Sequence, residues 1–203
     1  CLLIAFPLAY IISQKTEKVQ RTLVMLVMLP MWMSFLIRTY SWMALLQDTG
    51  IINSFLAKLG IDPIHMINTS GAVILGMVYN FLPYMIMPIY SVMAKLDYSM
   101  VEAAQDLGGN RLTVIKRCII PMSMPGVISG ITMVFVPSVS TFYISQKLGG
   151  GSFDLIGDVI ERQFQQSYNY NLGASLSLVL MVLILICMAV MNRFSGDEEG
   201  MVI

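Results

Sequence analysis

The chain has 203 residues, of which 57% are hydrophobic and 12% are charged, and its mean hydropathy is +0.75. Soluble domains carry about twice that charged share, so this composition offers too little polar surface for a water-soluble globule. Twelve basic and twelve acidic side chains give a net charge of zero, which argues against a nucleic-acid partner. Three separated cysteines and one histidine have no spacing typical of a disulfide framework or a zinc site. The composition predicts an all-α, polytopic membrane protein.

Apolar stretches divide the chain into predicted spans, each of which needs about 20 residues to cross a bilayer as a helix. We expect four full spans, at 23–46, 72–94, 119–144 and 172–191. A fifth stretch, Cys1–Ile12, is about half the required length. We interpret it as part of a first span whose upstream residues are missing from this chain. The alternative, a lipid-modified leading cysteine, would normally be followed by a polar tether. Five spans, the first of them partial, are thus predicted in one membrane domain over 1–203.

The loops between these stretches alternate in positive charge. Eight of the twelve basic residues lie in the 13–22 loop, in the 95–118 loop and at the C-terminal end. Because cytoplasmic loops are enriched in Lys and Arg, the positive-inside rule predicts that these segments face the cytoplasm. The 47–70 and 145–171 segments are then predicted to lie outside.

The most informative segment is the polar 97–121 loop between two predicted spans. Ser99 followed three residues later by Glu102 predicts a capping box at the start of a helix. Gly108 and the two residues after it tolerate a positive φ and predict where that helix ends. A helix of about two turns is too short to be stable alone in water, so it requires a packed neighbour or a partner.

Small and apolar residues of this helix favour contact with another surface. Ala103 and Ala104 permit close approach of a second backbone, and Val101 and Leu107 offer small apolar contacts. Arg111 follows the turn and begins a basic run that leads to the next span. Two interpretations stay open on these residues alone: a loop helix on the membrane surface, or a docking helix for a partner protein.

The spacing of this loop resembles the EAA loop of ABC-importer permeases. Three residues separate the Glu-Ala-Ala run at 102–104 from Gly108, and nine further residues lead to Cys-Ile-Ile-Pro at 118–121. The family usually ends the motif with Ile-x-Leu-Pro, so the apolar character is kept. The resemblance implies a short coupling helix, including Ser99 and Arg111 at its flanks, that sits in a groove of a cytosolic ATPase subunit.

Three further segments, 29–46, 76–97 and 124–131, resemble permease subunits of spermidine/putrescine ABC importers, and the likeness covers about 10–194. It implies the helical bundle of type I importer permeases, in the cytoplasmic membrane of a prokaryote. Such importers pair two permeases, one of which often carries carboxylates in the span after the EAA loop. Ser138, Ser140 and Thr141 stand there in this chain, so it resembles the less acidic partner.

The resemblance also implies the partners and the chemistry. We expect an ATPase subunit dimer, a second homologous permease, an extracytoplasmic polyamine-binding protein and the lipid bilayer. The chain itself contains no GxxxxGK[ST] phosphate-binding loop, so ATP and magnesium are expected on the ATPase, with no cofactor and no catalytic role for this chain. The alternatives are a permease for another small cation, an anion or a metal complex, an ion-coupled secondary transporter, or a membrane scaffold.

A polyamine path should offer carboxylates, carbonyl groups and aromatic faces. In the 145–171 segment, Asp154, Asp158 and Glu161 recur at helical spacing and would share one helix face. One interpretation is an acidic vestibule for cations leaving a binding protein. The other is a solvated face of an amphipathic helix that rests on the membrane domain.

Polar and kinking residues within the spans are the remaining candidates for a pathway or gate. Each has an ordinary alternative, such as interhelical hydrogen bonding, helix packing or anchoring at the membrane interface. Arg38 is assigned a structural or gating role, because a cation is an unsuitable lining for a polycation path. No metal site is expected. The candidates are Tyr79, Asn80, Pro137, Ser138, Thr141, Phe142 and Tyr143.

Overall fold

The structure is a computed structural model that describes residues 1–96, 98–106, 108–151 and 154–199, without the side chains at 98, 111, 192 and 194–199. All regular secondary structure in these ranges is helical. The helices are α1 (Leu2–Ser13), α2 (Glu17–Met28), α3 (Phe35–Leu46), α4 (Ile51–Lys58), α5 (Ser70–Met93), α6 (Tyr98–Asp106), α7 (Arg111–Val114), α8 (Ile120–Ser140), α9 (Tyr143–Gly149), α10 (Ile156–Gln165) and α11 (Tyr170–Glu199).

Three helical stretches of the described chain are long and apolar enough to cross a membrane. They are α5, the stretch Leu112–Ser140 that ends with α8, and the first part of α11, Tyr170–Met191. The predicted spans at 72–94 and 172–191 are therefore confirmed to within two residues. Pro83 and Pro88 lie inside α5 without ending it. The fold class is confirmed as an all-α bundle, but these residues do not establish five spans.

The prediction of one continuous span at 23–46 is wrong, because the helix breaks in its middle. Proline has no backbone N–H to donate, and after α2 the chain tightens at Pro30 into a 3₁₀ turn, Leu29–Trp32. The N–H of Met33 donates to the Pro30 carbonyl at 3.2 Å. Ser34 then adopts ψ 133°, outside the helical region, before α3 begins. If the helical stretches Glu17–Trp32 and Phe35–Lys58 are counted together as one broken span, the described residues contain four spans.

The predicted span at 119–144 also ends earlier than expected. A π-helical segment, Ile115–Ile119, precedes α8, and α8 ends at Ser140. Pro137 therefore lies in the last turn of α8 rather than in the middle of the predicted span. Helix α9 begins three residues after Ser140, at Tyr143.

The chain forms two compact units, and the prediction of a single membrane domain stays a prediction. In the first unit, Ala5 and Ala9 of α1 are fully buried and pack with Ile89 of α5. A close approach of α5 and α8 depends on Gly126, where a Cβ atom would lie 2.8 Å from the carbonyl oxygen of Pro88. This unit contains Cys1–Leu29, Leu82–Val134 and Cys187–Ile203.

The second unit has its own apolar core. Val73 of α5 packs with Ile144 and Leu148 of α9, and all three side chains are fully buried. Gly76 leaves room for the Leu148 side chain, which would lie 2.4 Å from a Cβ atom at that position. This unit contains Pro30–Phe81 and Phe135–Ile186.

Candidate functional site

The loop at 97–121 contains the predicted short helix, α6. It has nine residues, about two and a half turns, and Gly108 follows it with φ +82°. The N–H of Gly109 donates to the Ala104 carbonyl at 3.1 Å, so the predicted glycine-rich helix end is confirmed. Helix α6 begins at Tyr98, so Ser99 lies in its first turn, and the capping box stays a prediction.

One face of α6 holds the helix on the first unit. Val101 is 9% exposed and belongs to the core, and Ala104 packs against the same cluster. The sequence predicts that Val101 contacts a partner, but its burial shows that it fixes the helix to its own chain. Leu107 lies outside the described residues, as does the side chain of Arg111.

The opposite face of α6 is open. Glu102 and Ala103 are exposed, and Met100 is 54% exposed. The α6 outer face, by which we mean these three residues with Gln105 and Asp106, combines one large apolar side chain, one methyl group, one amide and two carboxylates. One face of α6 is thus held by packing, and the exposed face carries both polar and apolar groups. Such a helix is suited to bind a complementary groove.

Helix α6 packs against the helical turns that follow it in the chain. The side-chain oxygen Oδ1 of Asn110 accepts hydrogen bonds from both the N–H and the Oγ1 hydroxyl of Thr113, each at 2.8 Å, which caps α7. Helix α6 also contacts α7 and the π-helical segment that leads into α8. A displacement of α6 would therefore be transmitted through packed helical turns.

The structure places Tyr79 and Asn80 on α5 in different environments. The ring of Tyr79 meets that of Trp42 edge to face, with centroids 5.3 Å apart. Asn80 is 2% exposed and donates from Nδ2 to the Gly76 carbonyl at 2.9 Å, within its own helix. Its Oδ1 is buried without a partner, so the interhelical hydrogen bond considered for Asn80 is not formed.

The serine hydroxyl groups at the end of α8 donate hydrogen bonds to backbone carbonyls of the same helix. Ser138 Oγ donates to the Phe135 carbonyl at 2.8 Å, and Ser140 Oγ donates to the Val136 carbonyl at 3.0 Å. Neither bonds to the carbonyl four residues before Pro137, which is the one that proline leaves without its usual helical donor.

Thr141, Phe142 and Tyr143 form the junction between α8 and α9. The Thr141 carbonyl lies against Gly157 of α10, where a Cβ atom would be 2.5 Å from its oxygen. Phe142 is 37% exposed, and the ring of Tyr143 lies 6.0 Å from that of Phe35. The junction is thus a site of close packing between three short segments.

The three predicted carboxylates of the 145–171 segment meet at one pocket of about 460 Å³, which we call the acidic pocket. Helix α10 carries two of them, and the third lies just before it, so helical spacing brings all three to one side. The pocket is lined by Ser145, Gln146, Gly151, Asp154, Asp158, Glu161, Arg162 and Gln166.

Each carboxylate of the acidic pocket has a different environment. Arg162 forms an ion pair with Asp154, and this hydrogen bond and charge raise the pKa of the guanidinium above its ordinary value. Glu161 accepts a hydrogen bond from Gln146 Nε2 at 2.7 Å. Asp158 is 3% exposed, so the interpretation of this side chain as part of a solvated face is wrong.

Sequence reasoning missed several features of these sites. The pairing of Arg162 with Asp154 spans eight residues and gives no simple helical signal, and the burial of Asp158 depends on packing outside its own helix. Arg38 is 8% exposed, and its Nε and Nη1 atoms have no hydrogen-bond partner. The side chain is therefore buried within its own chain, and the sequence contains no signal of that burial.

Known proteins provide an independent comparison. Residues 3–195 match the family described as "Binding-protein-dependent transport system inner membrane component". The chain is 43% identical over 171 residues to the spermidine/putrescine transport system permease protein PotB of Haemophilus influenzae, covering 83% of this chain and 60% of that protein. It is 42% identical over 166 residues to PotB of Escherichia coli, covering 81% and 60%. The chain thus spans about 60% of the length of these relatives.

Solved structures support the same fold. A bacterial ABC transporter involved in the import of the acidic polysaccharide alginate aligns with a TM-score of 0.73 at 18% identity, covering 97% of this chain and 74% of that chain. The alginate transporter in complex with an alginate pentasaccharide-bound periplasmic protein aligns with a TM-score of 0.74 at 18% identity, covering 96% and 73%. The chain belongs to the family of binding-protein-dependent transport system inner membrane components.

Proposed function

We propose that this chain is a permease subunit of an ATP-driven polyamine importer in a prokaryotic cytoplasmic membrane. It forms half of the translocation pathway and pairs with a second, homologous permease. An extracytoplasmic binding protein delivers spermidine or putrescine, and a cytosolic ATPase dimer binds ATP and magnesium. The chain itself performs no covalent chemistry.

The observation that carries this proposal is the arrangement of α6. Val101 fixes one face to the first unit, while Glu102 and Ala103 remain exposed on the other. A groove on the ATPase binds the α6 outer face, and ATP-driven closure of the ATPase dimer moves it. Because α6 contacts α7 and the π-helical segment, that motion reaches α8 and changes the side to which the pathway opens.

Two observations support a polyamine as the cargo: the identity to the PotB proteins and the negative charge of the acidic pocket. The PotB proteins are named for spermidine/putrescine transport, and 41–43% identity over more than four fifths of the chain supports a similar cargo. The acidic pocket adds a site whose charge suits a cation. The alternative is an importer of the same kind for another small solute, which uptake measurements distinguish.

ATP-dependent uptake by the assembled importer tests the proposal. The full-length protein would be co-purified with its partner permease and ATPase, reconstituted in vesicles with the binding protein, and supplied with labelled spermidine. We expect uptake that requires ATP and is competed by putrescine. Uptake that follows an ion gradient without ATP, or transport of another solute class alone, would contradict it.

A charge reversal on the α6 outer face tests the coupling step. We expect Glu102→Lys to reduce both uptake and cargo-stimulated ATP hydrolysis at least tenfold while leaving membrane insertion unchanged. Glu17→Lys is the matched control, since Glu17 is an exposed glutamate on a loop predicted to face the same side. Normal stimulated hydrolysis in the Glu102→Lys importer would refute the coupling role of α6.

A further inference from the structure

The acidic pocket has an excess of negative charge that its own residues do not neutralise. Three carboxylates and one guanidinium line it, which leaves two negative charges in excess. The guanidinium of Arg162 is paired with Asp154, and neither Asp158 nor Glu161 takes part in an ion pair among the described residues. The ammonium of Lys147 lies instead 5.7 and 5.8 Å from the centroids of two tyrosine rings.

Asp158 is the unusual member of the set. Its Oδ2 accepts a hydrogen bond from the N–H of Leu155 at 2.7 Å, which caps the start of α10. Its Oδ1 is buried and has no hydrogen-bond partner. A buried carboxylate oxygen without a hydrogen-bond donor is costly, and such atoms are rare in folded proteins. Because Asp158 lines the acidic pocket, a cation with N–H donors bound there would offset the charge of this carboxylate.

The backbone around Asp158 is held firmly. At Gly157, the preceding residue, a Cβ atom would lie 2.5 Å from the Thr141 carbonyl oxygen, so α10 presses directly on the junction between α8 and α9. The hydrogen bond from Leu155 fixes the carboxylate from the other side. The position of Asp158 is therefore set before any ligand binds, which reduces the cost of binding.

The arrangement of the carboxylates favours an ammonium group over a metal ion. In the described ranges, no group of three or more His, Cys, Asp or Glu side chains is close enough to hold a metal ion. Separated oxygens instead suit a ligand with several N–H donors, because an ammonium group has three and no acceptor. The side chains of Glu161 and Gln146, joined at 2.7 Å, provide a second polar wall in a pocket of about 460 Å³.

We propose that the acidic pocket binds a primary ammonium group of a free alkyl polyamine, with Asp158 as the principal anion and Glu161 as the second. The site rests on the proposed polyamine transport and adds to it a place where the cargo binds on this chain. It would hold the cation after release from the binding protein and before entry into the pathway.

Equilibrium binding of labelled spermidine tests this site. The assembled importer would be placed in lipid nanodiscs without binding protein or ATP, as wild type and as Asp158→Asn, Glu161→Gln and Asp62→Asn variants. Asn keeps an oxygen for the Leu155 N–H but removes the charge. We expect spermidine affinity to fall at least tenfold in Asp158→Asn and about threefold in Glu161→Gln. Asp62→Asn removes an exposed carboxylate from the other predicted outer loop and should bind as wild type.

Several outcomes would overturn the site. Wild-type affinity in both pocket variants would do so, as would stoichiometric displacement of spermidine by equimolar Mg²⁺. Loss of binding-protein docking with unchanged affinity for free spermidine would assign the pocket to a protein contact instead. Uptake in vesicles separates the two proposals: a wild-type importer that takes up no spermidine contradicts the proposed function. Uptake with unaltered spermidine binding in the variants contradicts the pocket alone.

Discussion

The contact between α5 and α8 in the first unit makes a sharp prediction about Gly126. A Cβ atom there would lie 2.8 Å from the Pro88 carbonyl oxygen and 3.0 Å from the Ile89 Cα atom. Ordinary contact begins near 3.4 Å, so the two backbones would have to separate by about 0.6 Å at this point. Both atoms belong to backbone, which cannot rotate away as a flexible side chain could. We therefore expect Gly126→Ala to be destabilising.

The size of the effect follows from two opposing contributions. Overpacking a close contact costs about 1–3 kcal/mol, whereas replacing a helical glycine with alanine gains up to about 1 kcal/mol. Gly71 of α5 is the matched control, because a Cβ atom there meets only the Thr69 hydroxyl, at an ordinary 3.7 Å. The Gly71→Ala variant should be as stable as wild type or more so. The free energy of unfolding of Gly126→Ala should be about 1–3 kcal/mol lower than that of Gly71→Ala.

Unfolding of the purified protein in mixed detergent micelles, followed by circular dichroism during an SDS titration, measures this difference. The close α5–α8 contact predicts that the midpoint of Gly126→Ala falls below that of Gly71→Ala. Gly126→Val should fall further, since the Val92 side chain also lies 3.0 Å from the Cβ position. Equal midpoints for the two alanine variants would refute the packing argument.

Three further predictions concern the loops. Asn53→Ala should destabilise the protein by about 2 kcal/mol and increase protease cleavage near residue 64, because its buried amide exchanges two 2.9 Å hydrogen bonds with the Ile64 backbone; unchanged cleavage would contradict this. Asp48→Asn should change stability by less than about 1 kcal/mol in the same titration, since Asp48 and His65 form an exposed hydrogen-bonded pair. At Gly108, where φ is +82° and no atom lies within 4 Å of a Cβ, Val should impair ATP-coupled uptake more than Asn. Equal uptake by these two variants would show that backbone strain at this position is unimportant.

The sequence predicts the continuous apolar helices well and the broken ones poorly. The spans at 72–94 and 172–191 are long enough that hydropathy alone locates them. The stretch at 23–46 is also apolar along its length, so hydropathy hides the break that Pro30 introduces through its missing N–H. Hydropathy also does not detect that α8 ends at Ser140, so the predicted span at 119–144 is too long.

In the candidate sites too, the sequence predicts the features that depend on neighbouring residues and misses those that depend on distant ones. The end of α6 is predictable because Gly108 meets a local backbone requirement, a positive φ. The burial of Val101 is not, because the face that a short helix presents depends on neighbours distant in sequence. Helical spacing brings Asp154, Asp158 and Glu161 together, but it does not predict that Asp154 pairs with Arg162, that Glu161 bonds to Gln146 or that Asp158 is buried.

The most direct test of the coupling mechanism is protection of the α6 outer face by the ATPase. In a full-length protein whose native cysteines, Cys1, Cys118 and Cys187 among them, are all replaced by serine, Ala103→Cys would be labelled with a bulky maleimide, with and without the ATPase subunit. Glu17→Cys provides an exposed control on the same predicted side. We predict that the ATPase slows labelling at position 103 at least tenfold and leaves position 17 unchanged. Equal labelling of position 103 in the free and assembled permease would contradict the account.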